Sequence, residues 1–358
     1  MINVIRGWMD RYFSDEEAVL FTVLLIACFG VIIWLGRPLA PVLTSLVLAF
    51  MMQGGVNRLQ ALGLGHTLSV LVVFLAAVSA FIAFVVGVVP AVLTQVEGFI
   101  SELPRAIAGI QSQLLILTER YPEYFSAEQI NLLVNQIGQQ VSSIGQWLLS
   151  FSLESLPSLL GILIYLVLVP ILVFFFMKDG DLLLAAIGRT LPDRRPIMAQ
   201  VWAEMQHQVS NYVRGKALEI VIVGTVTFIA FVLLDLRYAA LLALLVGLSV
   251  IVPYIGAAVV TVPVAAVAFI QFGWSSEFYW VLGVYAVIQA LDGNVLVPLL
   301  FSEVVNLHPV AIIVAVLLFG GIWGFWGVFF AIPLATLAKA VVSAWPVAQR
   351  KAELAHSD

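Results

Sequence analysis

Residues 67–93 read TLSVLVVFLAAVSAFIAFVVGVVPAVL, without one charged side chain. As a helix this stretch would be roughly 40 Å long, more than the roughly 30 Å hydrocarbon core of a bilayer, so it reads as a membrane span. The 61 residues that follow, Thr94 to Glu154, hold six of the chain's 21 acidic residues. That contrast defines the chain as a polytopic membrane protein with one sizeable polar insertion. Composition agrees: 62% of residues are hydrophobic and 10% charged, and the mean hydropathy is +1.09, whereas soluble domains carry about 25% charged residues.

The fold class is all-α. In hydrocarbon every backbone N–H and C=O needs an internal partner, and the alternation of barrel strands is missing. Cys28, the single cysteine, lies in the first apolar run and reads as a small packing residue; it allows no internal disulfide. Met1 to Glu17 mixes acids and bases and lacks the short apolar core and A-x-A site of a cleaved signal peptide, so the first span is expected to be retained.

Hydropathy places helices over Ala18–Leu35, Pro38–Met52 (with Pro38 and Pro41 in its first turn), Thr67–Leu93, Leu156–Met177, Ala217–Leu234 and Phe278–Val297, with two longer segments over Tyr238–Phe272 and His308–Ala338. With the N-terminus inside, 12 of the 16 Lys and Arg fall on the inner side and four, Arg37, Arg105, Arg120 and Arg237, outside. This asymmetry puts both termini in the cytoplasm of an inner-membrane protein and the insertion outside. The expected organisation is three membrane helices over residues 1–93, an extracytoplasmic helical hairpin over 94–154, a fourth span with a cytoplasmic amphipathic helix over 155–215, a transport core over 216–338 and a tail over 339–358.

Within the insertion, Val96, Ile100, Leu103, Ile107, Ile110, Leu114 and Leu117 repeat with coiled-coil spacing. So do Ile130, Val134, Ile137, Val141, Ile144 and Leu148, behind a capping-box start at Ser126 and Gln129. The two seams zip against each other or also join subunits. Met198, Trp202, Met205, Val209 and Tyr212 form a further stripe, expected as an interfacial helix on the inner leaflet, with His207 solvated on its other side.

The two long segments carry the functional information. One is broken at Pro253-Tyr254-Ile255-Gly256, the other at Gly320, Gly321, Gly324 and Gly327. As hairpins their arms have about 15 residues, roughly 22 Å, too short for a full crossing, so both are expected to be re-entrant. The first would enter from outside and the second from inside, an inverted pair with Pro263 and Pro333 in comparable places. Inverted repeats with broken helices are the architecture of secondary transporters, whose sites lie where the breaks meet.

Asp292 is the one acid well inside a span, in Gln289-Ala290-Leu291-Asp292-Gly293-Asn294 followed by Pro298. Gln289 and Asp292 share a helix face, and Gly293 with Pro298 should loosen the turns around Asn294 and free carbonyls for a ligand or ion. The alternatives are a polar clamp between helices and a place in a solute or proton path. Lys216 and Glu219 read as an ordinary pair near the inner interface, Asp235 with Arg237 as a turn pair on the outer rim, and His308 before Pro309 as a helix cap.

Pro253-Tyr254-Ile255-Gly256, Asn294 with Pro298, the Gly320-Gly321 to Gly327 run leading to Ile332-Pro333, and Phe175-Phe176-Met177-Lys178-Asp179 together resemble the autoinducer-2 exporter family, the PerM-type permeases. Tyr212-Val213-Arg214-Gly215 resembles the family's turn before the fifth span, although Lys216 stands where a glutamine is common. The resemblance covers nearly the whole chain. It implies a homo-oligomeric inner-membrane exporter, a pentamer being one form, that moves small polar metabolites such as the autoinducer-2 signal. Some branches are associated with sodium or lithium exchange for protons.

Other classes fit less well. A primary pump would need a G-x-x-x-x-G-K-[ST] loop, and an intramembrane protease a second buried aspartate, a Ser with a base or H-E-x-x-H; the sequence has none of these. The four histidines have no metal-ligand spacing. The expectation is a non-enzyme without cofactor, metal or nucleic-acid partner. A scaffold or passive pore stays as the alternative to a transporter. For a neutral organic solute the binders would be Asn294, Gln289 and backbone groups between aromatic walls of Tyr254, Trp323 and Trp326, with a proton gradient as the drive; for a cation exchanger Asp292 would be the exchanged site.

Overall fold

The computed structural model describes residues 16–120, 128, 131–132, 136, 138–139, 156–192, 195–301 and 307–344. The helices are α1 (Glu16–Ala61), α2 (His66–Arg120), α3 (Leu156–Gly188), α4 (Pro196–Leu233), α5 (Ala239–Ser249) and α6 (Ile255–Phe272). Then α7 (Ser276–Leu291) runs through a π-turn (Asp292–Leu296) into α8 (Val297–Phe301), followed by α9 (Pro309–Phe329) and α10 (Ala331–Ala344). No strand occurs among the described residues. Seven of the helical stretches are long and apolar enough to cross a bilayer, and three shorter apolar ones accompany them. The expected polytopic all-α architecture is what the chain adopts.

Several boundaries differ from the sequence expectation. Pro38 and Pro41 lie inside the continuous helix α1, since a proline deletes a ladder bond and bends a helix without having to end it. Residues Pro38–Ala61 are by themselves long and apolar enough to cross, as expected of a second span, and both ends of α1 lie at the basic end. The helix over residues 67–93 does not stop at the polar insertion but continues to Arg120, so α2 carries the whole first seam on one backbone. Residues of the second seam, such as Ile130, Val134, Ile144 and Leu148, and the Ser126–Gln129 start lie outside the described residues. The methionine stripe is not a separate interfacial helix: α4 is unbroken for 38 residues, with Met198 and Tyr212 buried along it. Nothing between Pro196 and Leu233 breaks a helix, so the amphipathic part and the span form one rod. Cys28 is exposed, not packed inside.

Two ends of the bundle can be distinguished. At the basic end, the α1–α2 turn meets the end of α3, where His66 Nε2 lies 3.1 Å from the Lys178 carbonyl. The start of α4 gathers there too, Ile197, Met198 and Val201 packing with Phe21 of α1 and against Leu337, Ala340 and Val341 of α10. At the far end, Phe99 and Glu102 of α2 meet Tyr238 and Arg237 before α5. Arg237 thus pairs with Glu102 at 3.2 Å, instead of with Asp235 as the local sequence suggested.

The broken segments both fold back on themselves. α5 and α6 form the first hairpin, whose two ends meet at the far end: Gln271 donates to the Asp235 carbonyl at 2.7 Å and accepts from the Arg237 N–H at 2.7 Å. Its turn has Tyr254 at φ 63°. The second hairpin turns at Gly324 (φ 60°), inside α9, so that the end of α9 and α10 together form its second arm, and α10 then runs back to the basic end. His308 caps α9 as expected, its Nδ1 accepting from the Val310 N–H at 3.3 Å.

Candidate functional site

Both hairpins point their tips, from opposite ends of the bundle, at one turn of α4. Tyr212 and Lys216 are four residues apart and so share a helix face. The Tyr212 hydroxyl donates to the Phe329 carbonyl at the second tip, 2.9 Å. The Lys216 ammonium donates to the Val250 carbonyl at the first tip, 2.8 Å. Ile251 of the first tip belongs to the same buried cluster as Tyr212, Val213, Phe301, Phe329, Ala331 and Ile332. The two breaks that the sequence pattern singled out therefore do meet, and α4 is the element that holds them.

Close approach at each tip requires glycine. A Cβ on Gly256 would lie 1.8 Å from the Ser249 carbonyl oxygen, and one on Gly327 1.8 Å from that of Phe319. The same logic places Gly215 under the Phe301 ring, 2.7 Å from where a Cβ would stand. Phe301 in turn receives the Lys216 ammonium over its face at 5.2 Å from the ring centre.

Lys216 and Glu219 are 4% and 2% exposed, and their ion pair is 2.7 Å long. They are not the interfacial pair expected from sequence. A buried pair of this kind must have its remaining hydrogen-bonding capacity met, and here the Val250 carbonyl takes a second donor of the ammonium while the Phe301 ring lies beneath it. Arg214, one position from the tip-holding face, turns away to the Phe50 carbonyl of α1 at 3.3 Å.

Asp292 opens the π-turn, where the Val297 N–H bonds back to the Asp292 carbonyl. Pro298 offers no N–H to the carbonyl of Asn294 in an α-turn or of Gly293 in a π-turn, which is the loosening expected of Gly293 and Pro298. Such π-turns inside α-helices are frequent at functional sites. Asp292 is half-buried, its Oδ1 is buried without a hydrogen-bond partner in the protein, and it lies within electrostatic reach of Lys216 and Glu219. Gln289 goes elsewhere: its Nε2 donates to the Tyr285 hydroxyl at 2.7 Å, and that hydroxyl donates to the Ala257 carbonyl just after the first tip, 3.2 Å. Asn294 is exposed and caps its own helix at the Ala290 carbonyl, 2.8 Å.

Of the three proposed aromatic walls, Tyr254 is exposed and Trp326 stacks on Phe330 at 6.0 Å, while Trp323, half-buried on the second tip, keeps its Nε1 buried without a partner. Pro253, whose carbonyl accepts from the Ile255 N–H at 2.7 Å, flanks the first tip, and Gly320 and Gly321 flank the second. The sequence reading missed Tyr212, Lys216 and Glu219 as site residues. Their signal was a Tyr, a Gly, a Lys and a Glu at i, i+3, i+4 and i+7, on one face of one helix. It also missed a cavity of about 720 Å³ at the basic end, lined by Phe50, Gln53, Asn57, Met177 and Met205 among others and by none of the anticipated residues. No group of three or more potential metal ligands occurs among the described residues.

Comparison with known proteins supplies the family. The AI-2E family transporter profile matches residues 21–347. The chain is 45% identical over 349 residues to the "Putative permease PerM" of Escherichia coli K12, covering 98% of this chain and 99% of that one. It is 26% identical over 336 residues to the "Putative transport protein YueF" of Bacillus subtilis, covering 90% of each. A third relative, the "Putative transport protein MJ1177" of Methanocaldococcus jannaschii, is 20% identical over 263 residues, with 73% of this chain and 74% of the relative covered. With its broken hairpins meeting on α4, this chain belongs to the AI-2E family of transporters.

Proposed function

We propose that the protein is a secondary-active exporter of a small polar metabolite, of which the autoinducer-2 signal is an example, driven by the proton gradient across the inner membrane. The observation that carries this is the convergence of two oppositely entering hairpin tips on Tyr212 and Lys216, beside the unpartnered Asp292. α5 has 11 residues and is about 16 Å long, half the hydrocarbon core, and the Gln271 contacts return the first hairpin to its starting end. Both hairpins are therefore read as re-entrant, placing the site near the midplane.

A solute with hydroxyl or carbonyl groups would supply a donor to Asp292 Oδ1 and an acceptor to Trp323 Nε1, the two orphaned polar atoms of the π-turn and the second tip. The basic end faces the cytoplasm by the positive-inside rule, with both termini there, and the cavity beside Phe50 and Asn57 is the vestibule from which solute is taken. The working unit is a homo-oligomer, for which the outer seam of α2 offers a contact.

The test is flux from proteoliposomes, with candidate solutes drawn from metabolites retained by cells lacking the protein. Saturable, pH-driven efflux is expected, abolished or uncoupled from pH in Asp292→Asn with assembly unchanged. Unsaturable conductance, or no flux for any retained metabolite, would favour a passive pore or scaffold. The lone buried carboxylate oxygen of Asp292 favours one second reading, a sodium or lithium/proton antiporter, which would show cation-driven proton movement without organic solute.

A further inference from the structure

The Lys216 ammonium is paired with one carboxylate, and the helix that carries it packs against the π-turn that carries a second. The ammonium bonds Glu219 and the Val250 carbonyl, and Asp292, on a π-turn packed against α4, is within its electrostatic reach with one buried oxygen unpartnered. Two of the ammonium's three donors go to Glu219 and the Val250 carbonyl, and a bare Asp292, a charged acceptor stronger than the neutral carbonyl, would pull the ammonium toward itself. We propose that Lys216 is a latch on the first hairpin, shared between Glu219 and Asp292. With Asp292 neutralised by a proton or a bound monovalent cation, the ammonium stays on the Val250 carbonyl and the tip is held. With Asp292 bare, the ammonium is drawn off that carbonyl and the tip is released while the Glu219 bond persists.

The other titratable groups nearby are engaged elsewhere. On α4, Tyr212 is tied to the Phe329 carbonyl and Arg214 to that of Phe50; on α7, Tyr285 is tied to Gln289 and Ala257. Tyr254, at the first tip, is exposed. α5, α6, α8 and α9 carry no acid, base or tyrosine, and Lys339 of α10 lies at the basic end. The second tip, bonded through a neutral phenol, has no such dependence. The latch rests on the transporter reading for its purpose but not for its detection.

Ile251, 8% exposed beside Val250, reports the tip. In an otherwise intact Cys28→Ser protein, an Ile251→Cys thiol is labelled with N-ethylmaleimide at one fixed neutral pH, without added solute. Asp292→Asn, a mimic of the neutralised acid, should slow labelling about threefold or more by shifting the population toward the held tip. Replacing the pair by Lys216→Gln with Glu219→Gln should speed it by a similar factor, and in that background Asp292→Asn should change nothing, the mark of direct coupling. A merely structural Asp292 would not protect the thiol. Labelling of Asp292→Asn as fast as the parent, or faster, overturns the latch, and that comparison decides alone if the paired variant fails to assemble. An Asn effect that persists undiminished in the neutral-pair background overturns it too. Absent flux with this labelling pattern intact would sink the transporter reading and leave the latch; intact flux with flat labelling would sink the latch alone.

Discussion

The two hairpins are built on one plan and fastened by different chemistry. Each turns at a backbone position with φ near +60°, Tyr254 in the first and Gly324 in the second, and each has a glycine two or three residues on, packed against a carbonyl across the turn. The first tip is held by a buried ammonium paired with a carboxylate. A neutral phenol holds the second, amid Phe325, Trp326, Phe329 and Phe330, whose rings pack edge to face or stacked. An ionic fastening answers to nearby charge, whereas a phenol in an aromatic cluster does not. In the proposed latch, that difference gives movement to the first hairpin and a fixed wall to the second.

The shared plan can be broken first, and the effect should be largest. Gly256→Ala and Gly327→Ala each force a Cβ to 1.8 Å from a backbone oxygen, with no rotamer through which to escape. The cost should sit at the top of the range for single substitutions, above about 4 kcal/mol. Both variants are expected to lose the monodisperse peak in size-exclusion chromatography. If one folds normally, its tip is not the tight turn described here and the likeness of the two hairpins fails.

The difference between the fastenings predicts unequal costs next. Lys216→Met leaves Glu219 buried without its partner, a change that costs about 3 kcal/mol or more. Tyr212→Phe leaves only the Phe329 carbonyl unpaired, about 1–2 kcal/mol. Thermal unfolding of the detergent-solubilised protein should therefore rank Lys216→Met well below Tyr212→Phe. Equal shifts would mean that the ammonium is already solvated, and the contrast between the two tips would go with it.

What could be read in the sequence follows a physical line. Breaks in helices are local events written by Pro253, Gly256, Gly324 and Gly327, so the two hairpins were legible, as were the His308 cap and the loosening around Asp292. Continuity was harder to read: hydropathy marks where side chains suit lipid, not where backbone hydrogen bonding stops, so α4 was divided at Gly215. The hub was hidden for another reason. Charge in a span is expected at its edge, which placed Lys216 and Glu219 at the interface, and their burial depends on the Val250 carbonyl 34 residues away and on Phe301, contacts that no local period encodes. Asp292 lies on the π-turn with one buried, unpartnered oxygen, whereas Gln289, three residues earlier, bonds Tyr285 one helical turn back, whose hydroxyl reaches the first hairpin at Ala257.

The smallest effects should lie at the open end of the first hairpin, where the latch reading demands freedom at the tip and firmness at the base. Gln271 fastens the base through two hydrogen bonds to the backbone at Asp235 and Arg237, and Gln271→Ala should cost about 1 kcal/mol. The neighbouring Arg237–Glu102 pair has its guanidinium 61% exposed, so Glu102→Gln should lower stability by no more than a few tenths of a kcal/mol, as exposed pairs do. Glu102 has a second, measurable consequence. Burial, and then its hydrogen bond and charge, hold the Tyr238 phenol above the ordinary tyrosine range, against the opposing pull of Arg237. Glu102→Gln removes the acceptor charge, so the Tyr238 phenol should ionise at lower pH than in the parent, seen as an earlier rise of tyrosinate absorbance that is missing in Tyr238→Phe. Should Gln271→Ala instead release the whole hairpin and expose an Ile251→Cys thiol as strongly as loss of Lys216 does, base and tip would move as one body, and the hinge would have to be placed outside the α5–α6 unit.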